Sequence, residues 1–427
     1  PKLARELRVL QDRIAPFPDA EARATVEHEL GVAVEEAFSE FGPPVAAASI
    51  AQVHPAIERE TGRRVAVKIL RPGVERAFRK DVEAFHFIAR TIEILAPSAR
   101  RLRPTAVTRH FEGVVTTELD LRLEASAAAE FKANTAEDEG FRVPAVLWGL
   151  SQKRVMTLEW VDGDPLGDVD LLATRDLDLP ELGRFIIRSF LRHALRDGFF
   201  HADMHQGNLK VARDGTLVAL DFGIMGRIDP YTRRVYAEIL LGFLRKDYRR
   251  VAEVHFEAGY VPADRDLETF AQALRSIGEP IFGQDASRIS MARLLAHLFE
   301  VTERFGMETR TELILLQRTM VVVEGVSRTL DPNLNMWKAA QPVVEEWMKD
   351  NLGPKAVKRD LEATLKVLAR FGPRMPEMAE KVLTKLADGD PIEVKDQGLE
   401  LRRAIAVGVV AGLLGGLGGA VLVAMAI

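Results

Sequence analysis

The 427-residue sequence contains no cysteine. That excludes a disulfide framework, thiolate metal sites and a cysteine nucleophile, and it fits a reducing compartment. A basic surplus is also missing: 58 Lys and Arg stand against 63 Asp and Glu, a formal charge of −5. A general nucleic-acid binder carries an excess of positive charge, so no nucleic-acid partner is expected. No signal-peptide pattern follows Pro1. One stretch, Ala404 to Ile427, lacks any polar or charged side chain.

The rest is 47% hydrophobic and 28% charged, the profile of a folded globular chain. The mean hydropathy of −0.03 averages this body with the apolar stretch. These 24 residues, about 36 Å as a helix, exceed the roughly 20 that cross a bilayer. Arg402 and Arg403 precede it, which places their side in the cytoplasm under the positive-inside rule. The expectation is a transmembrane segment over 404–427, anchoring the chain at the cytoplasmic face of the inner membrane. Gly408 and Gly412 form a GxxxG step that lets two such helices approach, the basis for expecting a homodimer. Its glycine pairs equally permit a break into two short half-spans.

Along the chain, residues 1–40 read as helices ("LARELRVLQDRI", "DAEARATVEHELG", "AVEEAFSEF") separated by "APFP". "SIAQVHPAI" and "RRVAVKIL" read as strands around the turn "ERETG". Helix returns over 73–135, with a basic connector "SARRLRP" at 98–104. "FRVPAVLWGL" and "RVMTLEWV" read as two further strands, followed by a turn at Asp162–Gly163. A helix begins at Pro180 and ends at Gly198, and short strands frame Asp214–Gly215. From 230 onward the pattern is amphipathic helix, with "LADGDPIEVKDQ" as a linker before the apolar stretch.

Four motifs carry chemistry. "VAVK" puts Lys68 on a strand, where a lysine reaches nucleotide phosphates and is held by a helix carboxylate. Alone, it reads more readily as a surface lysine on an edge strand. Upstream, "AAASIAQV" matches the spacing G-x-G-x-x-G-x-V, with Ala46, Ala48 and Ala51 in the glycine positions. Alanine stiffens such a loop, leaving Ser49 and the backbone N–H groups of Ala46, Ala47 and Ala48 as donors toward a nucleotide. "HADMHQGNLKV" spaces Asp203 and Asn208 as in H-R-D-x-x-x-x-N, and "LDFG" brings Asp221. An aspartate must orient or deprotonate the acceptor hydroxyl, and an Asn and a second Asp suit Mg²⁺, which prefers oxygen ligands. His201, Asp203 and His205 as a transition-metal trio is the alternative, and His201 as a support for the loop is another. "ELDLRLEASAAAEF" reads as one amphipathic helix, on which Glu118 and Glu124, six apart, face different directions with Asp120 between them.

Together "LQDRIAPFP", "AAASIAQVH", "VAVK", "ELDLRLEA", "EWVDG", "HADMHQGN" and "DFG" resemble the ABC1/AarF/UbiB (ADCK) family of atypical kinases. The resemblance implies an α+β, protein-kinase-like two-lobed fold with extra N-terminal helices, a largely helical C-lobe and a C-terminal membrane helix. The implied organisation is an N-terminal helical extension (1–44), an N-lobe with inserted helices (45–161), a C-lobe (162–385), a linker (386–403) and the membrane segment (404–427). It implies ATP or ADP with Mg²⁺ as cofactors, and ATPase or phosphotransferase activity in ubiquinone or related isoprenoid-lipid biosynthesis. A lipid quinone precursor, the membrane and a biosynthetic complex are the implied partners. Carried over by residue, Lys68 contacts phosphate with Glu124 as ion-pair partner, and Asp203 holds the catalytic position. Asn208 and Asp221 bind Mg²⁺, Leu158–Val161 (with Glu159 and Val161) forms the hinge beside adenine, and Glu118 and Asp120 form the acidic E-x-D pair. The family's K-x-G-Q motif would precede Pro1, which implies a fragment with a more open cleft. Gln206 replaces the usual Pro of H-P-G-N, loosening the loop without removing a ligand. A nucleotide-sensing scaffold of weak activity and a small-molecule kinase are the rival readings.

Overall fold

The computed structural model describes residues 15–95, 104–283, 297, 300–307 and 311–352. Contacts divide the chain into two units, 1–347 and 348–427, and all but the end of the last described helix lies in the first. The expected linker and membrane segment lie outside the described residues, as does "LARELRVLQDRI". Among the described residues no helix is long and apolar enough to cross a membrane.

The first elements are helices α1 (Asp19–Leu30) and α2 (Val34–Ala37) and strands β1 (Phe38–Phe41), β2 (Ala46–Ala47), β3 (Ala51–Glu58) and β4 (Arg64–Leu70). Asp19 and Glu21 occupy the first turn of α1, where the helix dipole favours acids, and Gly31 ends it at φ 71°. "AVEEAFSEF", expected as helix throughout, turns into β1 at Phe38. Phe38 is buried in the core with α1, Ser39 and Glu40 are exposed, and the strand pairs with β3 with a register shift between Phe38 and Glu40. The pleat of β4 decides the rest of this lobe. Val65, Val67 and Ile69 face α1 with Phe17, Val26 and Val34. Alternation then places Lys68 and Leu70 on the opposite face, where Leu70 packs with Val115, Leu119, Leu121 and Met156.

Three helices follow β4: α3 (Val74–Leu95), α4 (Pro104–Glu118) and α5 (Leu121–Asn134). The single helix expected over "ELDLRLEASAAAEF" is two. The chain breaks after Glu118 because the Asp120 carboxylate accepts the Arg122 N–H and caps α5. The strand expected over "FRVPAVLWGL" shrinks to β5 (Phe141–Arg142) and a bridge from Val146 to Leu158, with a 3₁₀ turn at Trp148–Leu150. Pro144 removes a ladder donor there. Strand β6 (Val155–Glu159) completes a sheet ordered β1-β3-β4-β6, with β2 on β3, every pairing antiparallel.

The chain passes from β6 into β7 (Gly163–Pro165), so Gly163 opens a strand where a turn was expected. Helices α6 (Val169–Ala173) and α7 (Leu179–Arg192) lead to β8 (Phe199–His201), then β9 (Leu209–Ala212), β10 (Leu217–Ala219) and β11 (Met225–Arg227). The strands form a sheet β5-β10-β9-β7 and a pair β11-β8. Asp178 caps α7, Pro180 sits in its first turn and Gly198 follows at φ 66°, as expected. A π-turn at His193–Asp197 was not expected. It carries His193 and Arg196 onto the Asp138 carboxylate, 3.0 Å and 2.6 Å away. The expected helices then follow: α8 (Pro230–Leu244), α9 (Tyr248–Glu257), α10 (Leu267–Gly283), α11 (Thr311–Leu330) and α12 (Met336–Leu352).

His255 of α9 is sealed in this helical region, its Nδ1 2.7 Å from the Val251 carbonyl and its ring against Tyr260 and Phe270. Burial lowers its pKa from 6.5 to about 4, against the pull of the Val251 carbonyl. The unfolded chain therefore takes up the proton first. Stability from this ring is complete above pH 6.5 and drains as pH falls toward 4, by about 3 kcal/mol in all. Denaturant melts across that range should show the loss, and His255→Phe should flatten the slope.

Candidate active site

Lys68 points from the middle of β4 into the space between the two lobes. Its Nζ donates to Glu124 Oε1 at 2.6 Å and to Asp221 Oδ2 at 3.2 Å. Lysine and Glu124 are largely buried, whereas the Asp221 side chain is 45% exposed. Burial opposes the ammonium, but the charges and hydrogen bonds of Glu124 and Asp221 overcome it and hold its pKa well above the ordinary lysine value. Burial also works against the Asp221 carboxylate. The Lys68 charge and the Gly223 N–H, 3.0 Å from Oδ1, nevertheless keep its pKa low. Burial raises Glu124, with Lys68 opposing.

The break before α5 changes where the acidic motif points. With Glu118 closing one helix and Glu124 in the first turn of the next, the two carboxylates converge. Glu118 is raised by burial and then by the charges of Asp221 and Glu124. A Cβ on Gly223 would lie 3.2 Å from Glu118 Oε2 and 3.3 Å from Asp221 Oδ1, so glycine lets these oxygens sit close to the backbone. Asp120 goes elsewhere: Arg122 donates to it from Nε at 2.9 Å and Nη2 at 2.6 Å, making it a cap rather than a member of the cluster.

The loop after β8 supplies Asp203. The Asp203 N–H donates to His201 Nδ1 at 3.1 Å, and Asn208 Nδ2 donates to the Asp203 carbonyl at 3.0 Å. The Leu220 N–H donates to the Asn208 carbonyl at 3.0 Å, tying this loop to the segment between β10 and Asp221. Asn208 thus stays locked to Asp203 with Gln206 in place of the usual proline. His201 is buried; burial lowers its pKa to about 4, against Asp221 and Asp203. His205 accepts the Gly207 N–H through Nδ1. With His201 buried and engaged this way, the trio His201, Asp203 and His205 does not form an open metal site. The support role suits His201, whose ring lies against Phe222 with centroids 5.7 Å apart.

The alanine-rich segment is a hairpin: Ala46 pairs with Val53, Ala47 with Gln52, and the Ala48 N–H donates to Ala51 O. Ser49 is exposed at its turn. Arg71 fastens the turn to the end of β4, its N–H on Ile50 O and its guanidinium on Ala48 O and Ala15 O. At the expected hinge, the Glu159 carboxylate is turned to Arg142 and the Ala145 N–H, and Val161 is packed with Ala212 and Val218. Any hinge contact to a ligand therefore comes from their backbone. Arg64 clamps this crossing, over the Trp160 ring and 2.9 Å from Asp162.

Three supports escaped sequence reasoning. Arg71 is one. The second is Phe131, seven residues along α5 from Glu124, whose ring meets Phe141, His193, Phe199, His201 and Phe222. The third is the buried Thr319 of α11, whose hydroxyl lies 2.9 Å from the carbonyl of Ala202, beside Asp203. A shared 3.6-residue periodicity of Glu124 and Phe131 was the available signal for the second; the others had none.

The donor set fits Mg²⁺ shared with phosphates. Among the described residues no three His, Asp or Glu side chains surround a common centre. Mg²⁺ needs only one or two protein oxygens when phosphates complete its shell, and Asp221 and Asn208 would supply them.

Comparison with known proteins agrees with this geometry. The ABC1 atypical kinase-like domain matches residues 9–255 and the UbiB helical domain residues 274–335. The chain belongs to the ABC1/UbiB family of atypical kinases. Two relatives, each named "Probable protein kinase UbiB", come from Marinobacter nauticus (36% identity over 92% of this chain and 73% of that one) and Erwinia tasmaniensis (38%, over 88% and 70%). A solved structure, the Rv3197–erythromycin complex from Mycobacterium tuberculosis, is similar with a TM-score of 0.60 and 25% identity, over 77% of this chain and 83% of that one. In this UbiB-family chain the kinase-like α+β fold is thus shared, and Thr319 joins its helical domain to its kinase-like domain.

Glu124→Gln should leave the Lys68 ammonium with one anionic partner and destabilise the fold, toward the lower end of about 3–5 kcal/mol. Glu118→Gln removes repulsion and should be neutral or stabilising. Denaturant midpoints at pH 7 separate the two; equal losses would show that charge does not set the cluster.

Proposed function

We propose that this chain is a Mg²⁺- and ATP-dependent atypical kinase or ATPase, anchored by residues 404–427 at the cytoplasmic face of the inner membrane. It serves ubiquinone or related isoprenoid-lipid biosynthesis, acting on or beside a lipid quinone precursor within a biosynthetic complex or as a homodimer. The observation that carries this reading is Lys68 joined to Glu124 and Asp221, beside an Asp203 locked to Asn208. The names of the relatives from M. nauticus and E. tasmaniensis support it.

In this reading Lys68, held protonated and aimed by Glu124, presents a fixed positive charge to the nucleotide phosphates. Mg²⁺, when bound, neutralises charge developing on the transferred phosphoryl group. Asp221 and Asn208 would hold it. Asp203, oriented by Asn208 and the His201 loop, receives the hydrogen bond of the acceptor hydroxyl or water and points its oxygen at phosphorus. The alanine hairpin offers backbone N–H groups and Ser49 to the phosphates, and the backbone at 159–161 meets the base.

Because the cluster works by fixed charges, removing one costs turnover steeply. Asp221→Asn and Lys68→Ala should each lower Mg·ATP hydrolysis by about 10²–10³-fold. The isosteric Asp221→Asn guards against a folding defect. Unchanged turnover in both overturns the reading. Nucleotide-dependent stabilisation of the wild type with negligible turnover would instead favour the scaffold, and efficient phosphorylation of aminoalcohols the small-molecule kinase.

A further inference from the structure

The hairpin of α3 and α4 turns one face of α3 away from the protein. Val74, Val82 and Ala89 are its buried side. Toward α4, Phe85 meets Phe111 edge-on, and His86 Nε2 lies 2.9 Å from Glu112. The opposite side carries Ala77, Lys80, Ala84, Phe87, Thr91 and Ile94, which recur at alternating steps of three and four residues. All but the half-buried Thr91 are exposed, Phe87 to 72% and Ile94 to 70%. That spacing is the a/d seam of a coiled coil, which packs against another helix. Exposed apolar strips of this kind mark interaction sites.

The residues flanking the seam say which helix fits. Glu83 and Arg90 are exposed along the same edge, seven residues apart, and neither has an ion-pair partner among the described residues. When two copies of one helix run antiparallel, each edge meets its own counterpart. The two-fold axis then brings Glu83 of each copy to Arg90 of the other. The same register seats Phe87 over Ala84 of the second copy and Ile94 over its Ala77, large against small on each side. Lys80 falls beside Thr91. A parallel pair would instead set Lys80 against Lys80 and Phe87 against Phe87. Charge and shape therefore select a second copy of this chain, running antiparallel.

We infer that α3 of two copies of this chain pack antiparallel along this seam, with a Glu83–Arg90 pair on either side of the two-fold axis. The contact is separate from the Gly408–Gly412 step and does not require nucleotide. A seam this short makes the dimer reversible. It braces the hairpin whose second helix ends at Glu118.

The absence of cysteine makes the test direct. Full-length chains carrying either Ala77→Cys or Ile94→Cys are mixed in equal amounts under mild oxidation. A disulfide should form between the two kinds of chain, and neither kind should crosslink comparably with itself. Exposed Asp264→Cys, exchanged for either one, gives the yield from random collision. Glu83→Arg in both chains puts like charges at both edges and should cut the mixed yield about tenfold. Adding Arg90→Glu restores opposite charges and should restore the yield, which separates a lost contact from a folding defect. The inference is overturned if the mixed yield does not exceed the collision reference, or if it ignores the charge changes. It is equally overturned if Ile94→Cys crosslinks best with itself, which marks a parallel pair. A face covered by lipid or by residues 404–427 gives the first of these results. Because no outcome involves ATP, failure here is distinguishable from failure of the kinase reading.

Discussion

The structure turns on one buried ammonium. Lys68 faces two carboxylates in contact, Glu124 and Asp221, with Glu118 close enough to feel both. One positive charge against three acids is not a neutral core. Ionising all of them in a partly buried site is costly unless more positive charge arrives. In the proposed function a divalent cation would supply that charge, and Asp221, the more exposed of the two Lys68 partners, would be the acid to meet it. An apolar pair in place of Lys68 and Glu124 could pack as well. What the ions add is a cleft whose charge is completed by ligand.

The remaining architecture keeps these acids in place. Helix α5 carries Glu124 in its first turn and Phe131 two turns later on the same face, so one rigid rod touches both the Lys68 strand and the aromatic floor under Phe222. Just past the end of this rod, the Asp138 carboxylate is bound by His193 and Arg196 of the π-turn. Thr319 then braces Ala202 from behind, which gives the UbiB helical domain a mechanical role in the site rather than a peripheral one.

The chemistry was more legible in the sequence than the shape. Asp203, Asn208, Asp221 and Lys68 stand at the spacings of the kinase motifs, and the structure joins Lys68 to Asp221 and Asp203 to Asn208. Strand β4 was readable because Val65, Val67 and Ile69 are fully buried while Ala66 and Lys68 between them are only partly so. The acidic motif misled because "ELDLRLEA" has helical periodicity throughout, and periodicity does not reveal that Asp120 prefers to cap. That single local competition reverses the expected divergence of Glu118 and Glu124. Phe38–Phe41 failed for the opposite reason: a helical-looking run was captured by pairing with β3. Arg71 and Thr319 act through contacts distant in sequence, and no local pattern announces such contacts.

The central claim, that the acid-rich cluster is completed by a metal-bound nucleotide, is tested most directly by thermodynamic stability with ligand. At about 100 times its dissociation constant, Mg·ATP should stabilise the wild-type chain by about 2.7 kcal/mol. ATP with a chelator should give far less, and Asp221→Asn should abolish the difference between the two. Equal stabilisation with and without Mg²⁺, in wild type and Asp221→Asn alike, would contradict the account.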